Sequence, residues 1–163
     1  MELRAALAAA FPEQPLPGGG AAARHGDTAR AGGNPRPLQV LLVEDDADTR
    51  QVLARLLRGA GHAVMTADTV ASARQALESA NGATVELLVS DLSLPDGTGL
   101  DVVRALRGLR PGLPSRPVKA IAVSGLGMAD DVRASLEAGF DHHLTKPISF
   151  DTLLHVLVEL VAA

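Results

Sequence analysis

The run Val40-Leu41-Leu42-Val43 has no polar interruption and stops abruptly at Glu44-Asp45-Asp46. An apolar stretch without alternation suits a strand buried on both faces, and such a strand needs a layer of helices on each side of its sheet. The pattern then changes period. Val52, Leu53, Leu56, Leu57 and Ala60 follow helical spacing, and Gly59 and Gly61 stop that helix. Further strands are expected over residues 62–67, 85–90, 118–123 and 142–145. Helices are expected over 71–80, 100–109, 130–138 and 151–160, with Val102, Val103 and Leu106 facing inward. Residues 110–117 hold three prolines, Pro111, Pro114 and Pro117, and are read as loop. Five strands alternating with five helices give an α/β domain with a parallel sheet. Doubly wound sheets of this kind collect ligands at the carboxyl ends of their strands.

Composition narrows the possibilities around that frame. Trp and Tyr are absent and there are three Phe, so Leu, Val, Ala and Ile must build the core. A net charge of −4 argues against a nucleic-acid surface, which needs clustered Lys and Arg. Without cysteine there are neither disulfides nor thiolate metal sites, which fits a cytoplasmic setting. No apolar run approaches the length of a membrane span, so no membrane partner is expected. The opening residues 1–11 are apolar but short and broken by Arg4, and are read as a cytosolic segment instead of a signal peptide. Residues 1–36 are expected to be a flexible Pro/Gly/Ala-rich linker, or the product of a start codon placed too early, with at most a marginal helix over 2–10. The folded domain is assigned to residues 37–163.

The strand ends carry the chemistry. The first closes in Glu44-Asp45-Asp46, the third in Asp91, the fourth in Ser124 and the fifth in Thr145-Lys146-Pro147. Carboxylates gathered on one rim repel each other and raise each other's pKa, and a hard divalent cation relieves that conflict. All-oxygen ligands suit Mg²⁺, with water and a phosphoryl oxygen completing its shell. One carboxylate is then free to act as a nucleophile toward phosphorus. Lys146 and Ser124 are the donors for the charge that develops on the phosphoryl oxygens.

These stretches resemble the receiver domain of two-component response regulators over nearly all of residues 38–160. The matching segments are Val40-Leu41-Leu42-Val43-Glu44-Asp45-Asp46, Leu88-Val89-Ser90-Asp91-Leu92-Ser93-Leu94-Pro95-Asp96-Gly97-Thr98-Gly99-Leu100, Ile121-Ala122-Val123-Ser124-Gly125, and Ala138-Gly139-Phe140-Asp141 leading to Thr145-Lys146-Pro147. The wording of residues 94–100 and 140–147 looks most like receivers attached to hybrid histidine kinases. The resemblance implies a flavodoxin-like (βα)5 fold, with strand order 2-1-3-4-5 and helices on both faces. It makes Asp91 the phosphoacceptor, fed by a histidine kinase or a histidine phosphotransfer protein. It makes Asp45 a direct Mg²⁺ ligand and Glu44 a ligand acting mainly through water, with Asp91 itself and the Ser93 backbone carbonyl as further metal contacts. Lys146 contacts the phosphoryl group, Pro147 follows a cis peptide bond, and Ser124 is the hydroxyl that moves on activation. At the position three before the lysine the family often has Tyr or Phe as a rotameric switch, and here stands His143.

Taken singly, each residue has an ordinary reading. The acidic triplet is a helix N-terminus, Asp91 a cap, Ser124 a turn residue and Lys146-Pro147 a loop. Their joint placement at strand ends outweighs those readings. The glycines of residues 94–99 are expected to serve a turn with positive φ, since the lysine and spacing of a nucleotide-binding loop are missing. His142 and His143 are read as strand-edge packing, with pH sensing as the lesser alternative, and the other histidines are given no metal. Ser93 and Leu126 are expected to flank the site and tune hydrolysis. The last helix shows only His155 and Glu159 as polar residues from Leu153 to Val161. The surplus Val156, Val158 and Val161 are therefore expected to cover a second copy or a target protein, together with helix 130–138. A signalling module is the leading reading, either acting alone or as the terminal piece of a longer kinase. The competing readings are a degenerate scaffold and a Mg²⁺-dependent phosphohydrolase, the latter disfavoured because Ser93 is a poor acid for protonating a leaving group.

Overall fold

Alternate side chains of the first strand point into two separate cores, and that alternation sets the layers. The computed structural model describes residues 36–109, 118–125 and 127–162. The chain runs β1 (Gln39–Val43), α1 (Ala47–Gly59), β2 (Ala63–Ala67), α2 (Val70–Glu78), a single 3₁₀ turn, β3 (Leu87–Asp91), the short strands β4 (Ser93–Leu94) and β5 (Gly97–Thr98), α3 (Gly99–Leu109), β6 (Lys119–Ser124), α4 (Ala129–Ala138), β7 (His142–Thr145) and α5 (Phe150–Ala162). The expectations for residues 1–35, for the loop 110–117 and for Leu126 lie outside the described residues.

Five parallel strands form one sheet in the order β2-β1-β3-β6-β7. With the small β4–β5 hairpin set aside, this is the doubly wound order 2-1-3-4-5. Leu41, Val43, Leu88, Ala120 and Ala122 meet α2 and α3 through Val70, Ala73, Leu77, Val102, Val103 and Leu106 on one face. On the other, Val40, Leu42, Leu87, Val89, Ile121 and Val123 meet α1 and α5 through Ala54, Leu57, Leu153, Val156 and Leu157. Leu, Val and Ala side chains close these layers, with Phe140 the one buried Phe among the described residues. Truncating one of the fully buried leucines, such as Leu42, costs about 2–5 kcal/mol through lost transfer energy and the cavity left behind.

Local chemistry fixes the element ends. Asp46 caps α1 by accepting from Thr49 N–H at 2.8 Å. Thr69 and Ser72 form a reciprocal capping box at the start of α2. Gly61, with φ of 99°, turns the chain out of α1 as its place in the sequence requires.

Two expectations are corrected. The glycines of residues 94–99 do not serve positive φ, which among the described glycines belongs to Gly61 and Gly139. That stretch forms the antiparallel β4–β5 hairpin instead, with Ser93 opposite Thr98. Its glycines answer to crowding: a Cβ on Gly99 would sit 2.4 Å from the Asp91 carbonyl oxygen, and one on Gly97 would sit 3.1 Å from Val70 Cγ2. The second correction concerns α5. Val156 is 5% exposed and belongs to the core, because Leu153, Val156, Leu157 and Leu160 make one stripe at helical spacing toward the sheet. Val161 is half-buried against the same core, and of the three valines only Val158, at 44%, is exposed.

Candidate functional site

The parallel register brings the chemically active strand ends to one rim. Val43 on β1 lies opposite Ser90 on β3, so Glu44 and Asp91 emerge side by side. Asp91 lies opposite Val123 on β6, and Ser124 lies opposite Thr145 on β7, which delivers Lys146 to the same rim. Asp91 is therefore the last residue of its strand, one position later than the apolar run alone indicated.

Glu44, Asp45 and Asp91 each present a carboxylate oxygen within 4.8 Å of the others. Glu44 and Asp91 are buried, whereas Asp45 is exposed. Lys146 Nζ reaches between the buried pair, 2.9 Å from Asp91 Oδ2 and 3.1 Å from Glu44 Oε2. Glu44 Oε1 accepts the Asp46 N–H at 3.1 Å, and Asp91 Oδ1 accepts the Ser93 N–H at 3.1 Å. Three carboxylates against one ammonium leave two negative charges uncompensated, which is the charge a divalent cation carries. The donor set is all oxygen, so the residues present fit Mg²⁺.

The electrostatics bear the mark of this crowding. Burial pushes the Glu44 carboxyl above its usual range, and the nearby Asp91 charge adds to it, against the Asp46 N–H and Lys146. Burial acts to lower Lys146, but the bonds from Asp91 and Glu44 outweigh it and hold the ammonium above its ordinary value. Asp46 behaves differently. The Thr49 hydroxyl and N–H hold it below the usual carboxylate range, so the third acid of the triplet is spent on capping α1.

Apart from Leu126, the other site residues expected from the sequence can be placed. Ser124 is buried at the end of β6, and its carbonyl accepts the Lys146 N–H at 2.7 Å. The peptide bond between Lys146 and Pro147 is cis. Ser93 opens β4 and is exposed. His143 lies on the edge strand β7, and its Nδ1 sits 2.9 Å from Ser135 Oγ on α4, so it is tied to a helix as well as to the sheet. Ser135 is itself fully buried, and it was not singled out in the sequence. Two further contributors were not singled out in the sequence. Arg50 donates to the Glu44 carbonyl at 2.8 Å and steadies the acidic turn from α1. Asp96 bonds to the start of α2 from the tip of the β4–β5 hairpin.

Comparison with known proteins gives a consistent result. The profile described as "Response regulator receiver domain" matches residues 40–158. The transcriptional regulatory protein TcrA of Mycobacterium tuberculosis is 35% identical over 124 residues, covering 76% of this chain and 46% of TcrA. PrrA of Mycobacterium bovis is 37% identical over 124 residues, covering 76% of this chain and 47% of PrrA. The chain thus spans about half the length of these transcriptional regulators. Among solved structures, a CheY-like response regulator receiver domain protein from Methanospirillum hungatei superposes with a TM-score of 0.68 at 27% identity, over 77% of this chain and 94% of the other.

Proposed function

The chain belongs to the response regulator receiver domain family, and from that premise we propose that Asp91 is the residue that accepts a phosphoryl group, from a phosphohistidine on a histidine kinase or histidine phosphotransfer protein. The single observation that carries this reading is the Glu44, Asp45 and Asp91 cluster, with its oxygens within 4.8 Å and Lys146 Nζ seated on Asp91. An Asp91 carboxylate oxygen forms the new bond to phosphorus. The P–N bond to the donor imidazole breaks, and its electron pair returns to that ring, which takes up a proton. Glu44 and Asp45, with the Ser93 carbonyl, would hold Mg²⁺, which when bound neutralises charge on the phosphoryl oxygens. Lys146 exchanges its carboxylate partner for a second phosphoryl oxygen, and the Ser124 hydroxyl takes a third. The Ser93 N–H already holds Asp91 Oδ1 and so orients the nucleophile.

The output is proposed to run through Ser124 and His143 to the face made by α4, β7 and α5. The Lys146 N–H bond to the Ser124 carbonyl and the His143 bond to Ser135 are the physical links between the site and that face. Exposed apolar side chains on this side, Leu136 at 44% and Val158 at 44%, give a second copy or a target protein something to cover. Val156, being buried, takes no part. The module is read as a signalling element working in the cytoplasm; among the described residues no helix is long and apolar enough to cross a membrane. Its kinship with hybrid-kinase receivers rests on the wording of residues 94–100 and 140–147 alone.

Beryllofluoride with Mg²⁺, which mimics a phosphoryl group on a carboxylate, gives the test. Against a reference already holding Mg²⁺, beryllofluoride is expected to shift amides centred on residues 44–45, 91–93, 124 and 146 in the wild type and none in Asp91→Ala. Shifts that survive in Asp91→Ala contradict the assignment. Unchanged partner binding in the same variant would favour a scaffold role.

A further inference from the structure

The β4–β5 hairpin carries Ser93, yet it has only two residues in each strand. So small a ladder is marginal by itself and needs tethers. Its base is held by the Ser93 N–H bond to Asp91 Oδ1 and by the Gly99 N–H bond to the Leu92 carbonyl at 3.0 Å. Its tip is held from a different part of the chain. Asp96 Oδ1 accepts the Val70 N–H at 2.7 Å, and Asp96 Oδ2 accepts the Ala71 N–H at 2.9 Å.

Those two N–H groups are the first of α2, donors that a helix leaves without partners of its own. Thr69 takes the third, at Ser72, through the capping box. The N-terminus of α2 is therefore shared between its own cap and a carboxylate that arrives 26 and 25 residues later in sequence. The contact is tight as well as polar, since Gly97 passes so close to Val70 that an added Cβ would lie 3.1 Å from its Cγ2. The two helical N–H bonds also hold Asp96 below the usual carboxylate range, so it stays ionised and bound at neutral pH.

We propose that Asp96 is a positioning residue for the phosphoryl-acceptor site: by clamping the hairpin tip to the start of α2, it fixes the Ser93 backbone beside Asp91. The proposal rests on the assignment of Asp91 and Mg²⁺ made above. A carboxylate that only capped a helix would affect stability alone, whereas one that positions a metal-binding carbonyl must also affect the affinity for the ion.

The test is calorimetric titration of the full chain with Mg²⁺ alone, alongside thermal melting of the metal-free protein and the rate of labelling by a small acyl phosphate. Asp96→Ala is expected to weaken Mg²⁺ binding roughly tenfold, the lower end of what loss of an outer-shell partner does. Asp96→Asn keeps one acceptor oxygen, and should fall between Asp96→Ala and the wild type in both affinity and rate. Should Asp96→Ala fail to fold, the Asn variant carries the comparison. Wild-type Mg²⁺ affinity in a folded variant that merely melts earlier overturns the proposal and leaves the functional reading intact. A wild-type chain that neither binds Mg²⁺ nor labels at Asp91 overturns that reading, and the proposal with it.

Discussion

The two ends of the same sheet treat buried polarity in opposite ways. At the carboxyl end of the strands, Glu44 and Asp91 are buried as acids around one ammonium, with Asp45 adding charge at the surface. At the amino end, His62 is buried beside the start of β1. Its Nδ1 accepts the Leu38 N–H at 3.1 Å, while its Nε2 has no hydrogen-bond partner among the described residues. Burial pushes Glu44 up and His62 down, so in both places it acts against the charged form. At the amino end that suits the contact made: an imidazole whose Nδ1 accepts a backbone N–H joins the start of β1 to the turn after α1, though its Nε2 stays unpartnered among the described residues. At the carboxyl end it does not, because three carboxylates share one ammonium and the excess negative charge calls for a cation. One end is a clasp and the other a poised site.

The comparison breaks most sharply at Lys146. Replacing it by Ala removes the ammonium from Asp91 and is expected to slow phosphorylation by a small acyl phosphate roughly hundredfold, the usual cost of one preorganised donor. His62→Asn should leave that rate unchanged. The ion gives the next largest effect. Mg²⁺ at about a hundredfold excess over its dissociation constant should stabilise the wild-type fold by about 2.7 kcal/mol. Denaturant titration should show that increment abolished in Asp45→Asn and retained in His62→Asn.

Gly99→Ala is expected to cost about 1–3 kcal/mol, since the new methyl group meets the Asp91 carbonyl oxygen and the backbone must shift. A melt of this variant that matches the wild type would show that the hairpin yields easily.

The smallest effect belongs to His62. Its folded pKa lies below the ordinary 6.5, so near and below that pH the unfolded chain binds a proton that the folded chain refuses. Stability is therefore whole above about pH 6.5 and declines as the pH falls below it. His62→Asn should flatten that part of the pH profile.

The alternation of strands and helices and the rim of acids, hydroxyl and lysine were legible because they depend on local signals, whereas the strand order came from the family resemblance. Apolar runs mark the buried strands, helical spacing marks their covers, and the strand ends follow from both. What escaped was set by contacts between distant parts of the chain. Asp96 reads as one more acid in a Gly-rich turn, and only the fold brings it to Val70 and Ala71. Two-residue strands such as Ser93–Leu94 are too short to show a period. Ser135 has no sequence sign of a bond to His143 beyond a polar residue on an inner face. Val156 misled because a helix with few polar residues looks apolar all round, while its true inner stripe depends on where the sheet lies.

The central claim concerns one carboxylate. An acyl phosphate on an aspartate is reduced by borohydride to homoserine, which peptide mapping by mass spectrometry can locate. After incubation with Mg²⁺ and a small acyl phosphate, the account predicts homoserine at position 91, dependent on Mg²⁺ and lost in Lys146→Ala at short times. Conversion at another acid, or none anywhere in a protein that binds Mg²⁺, would contradict it.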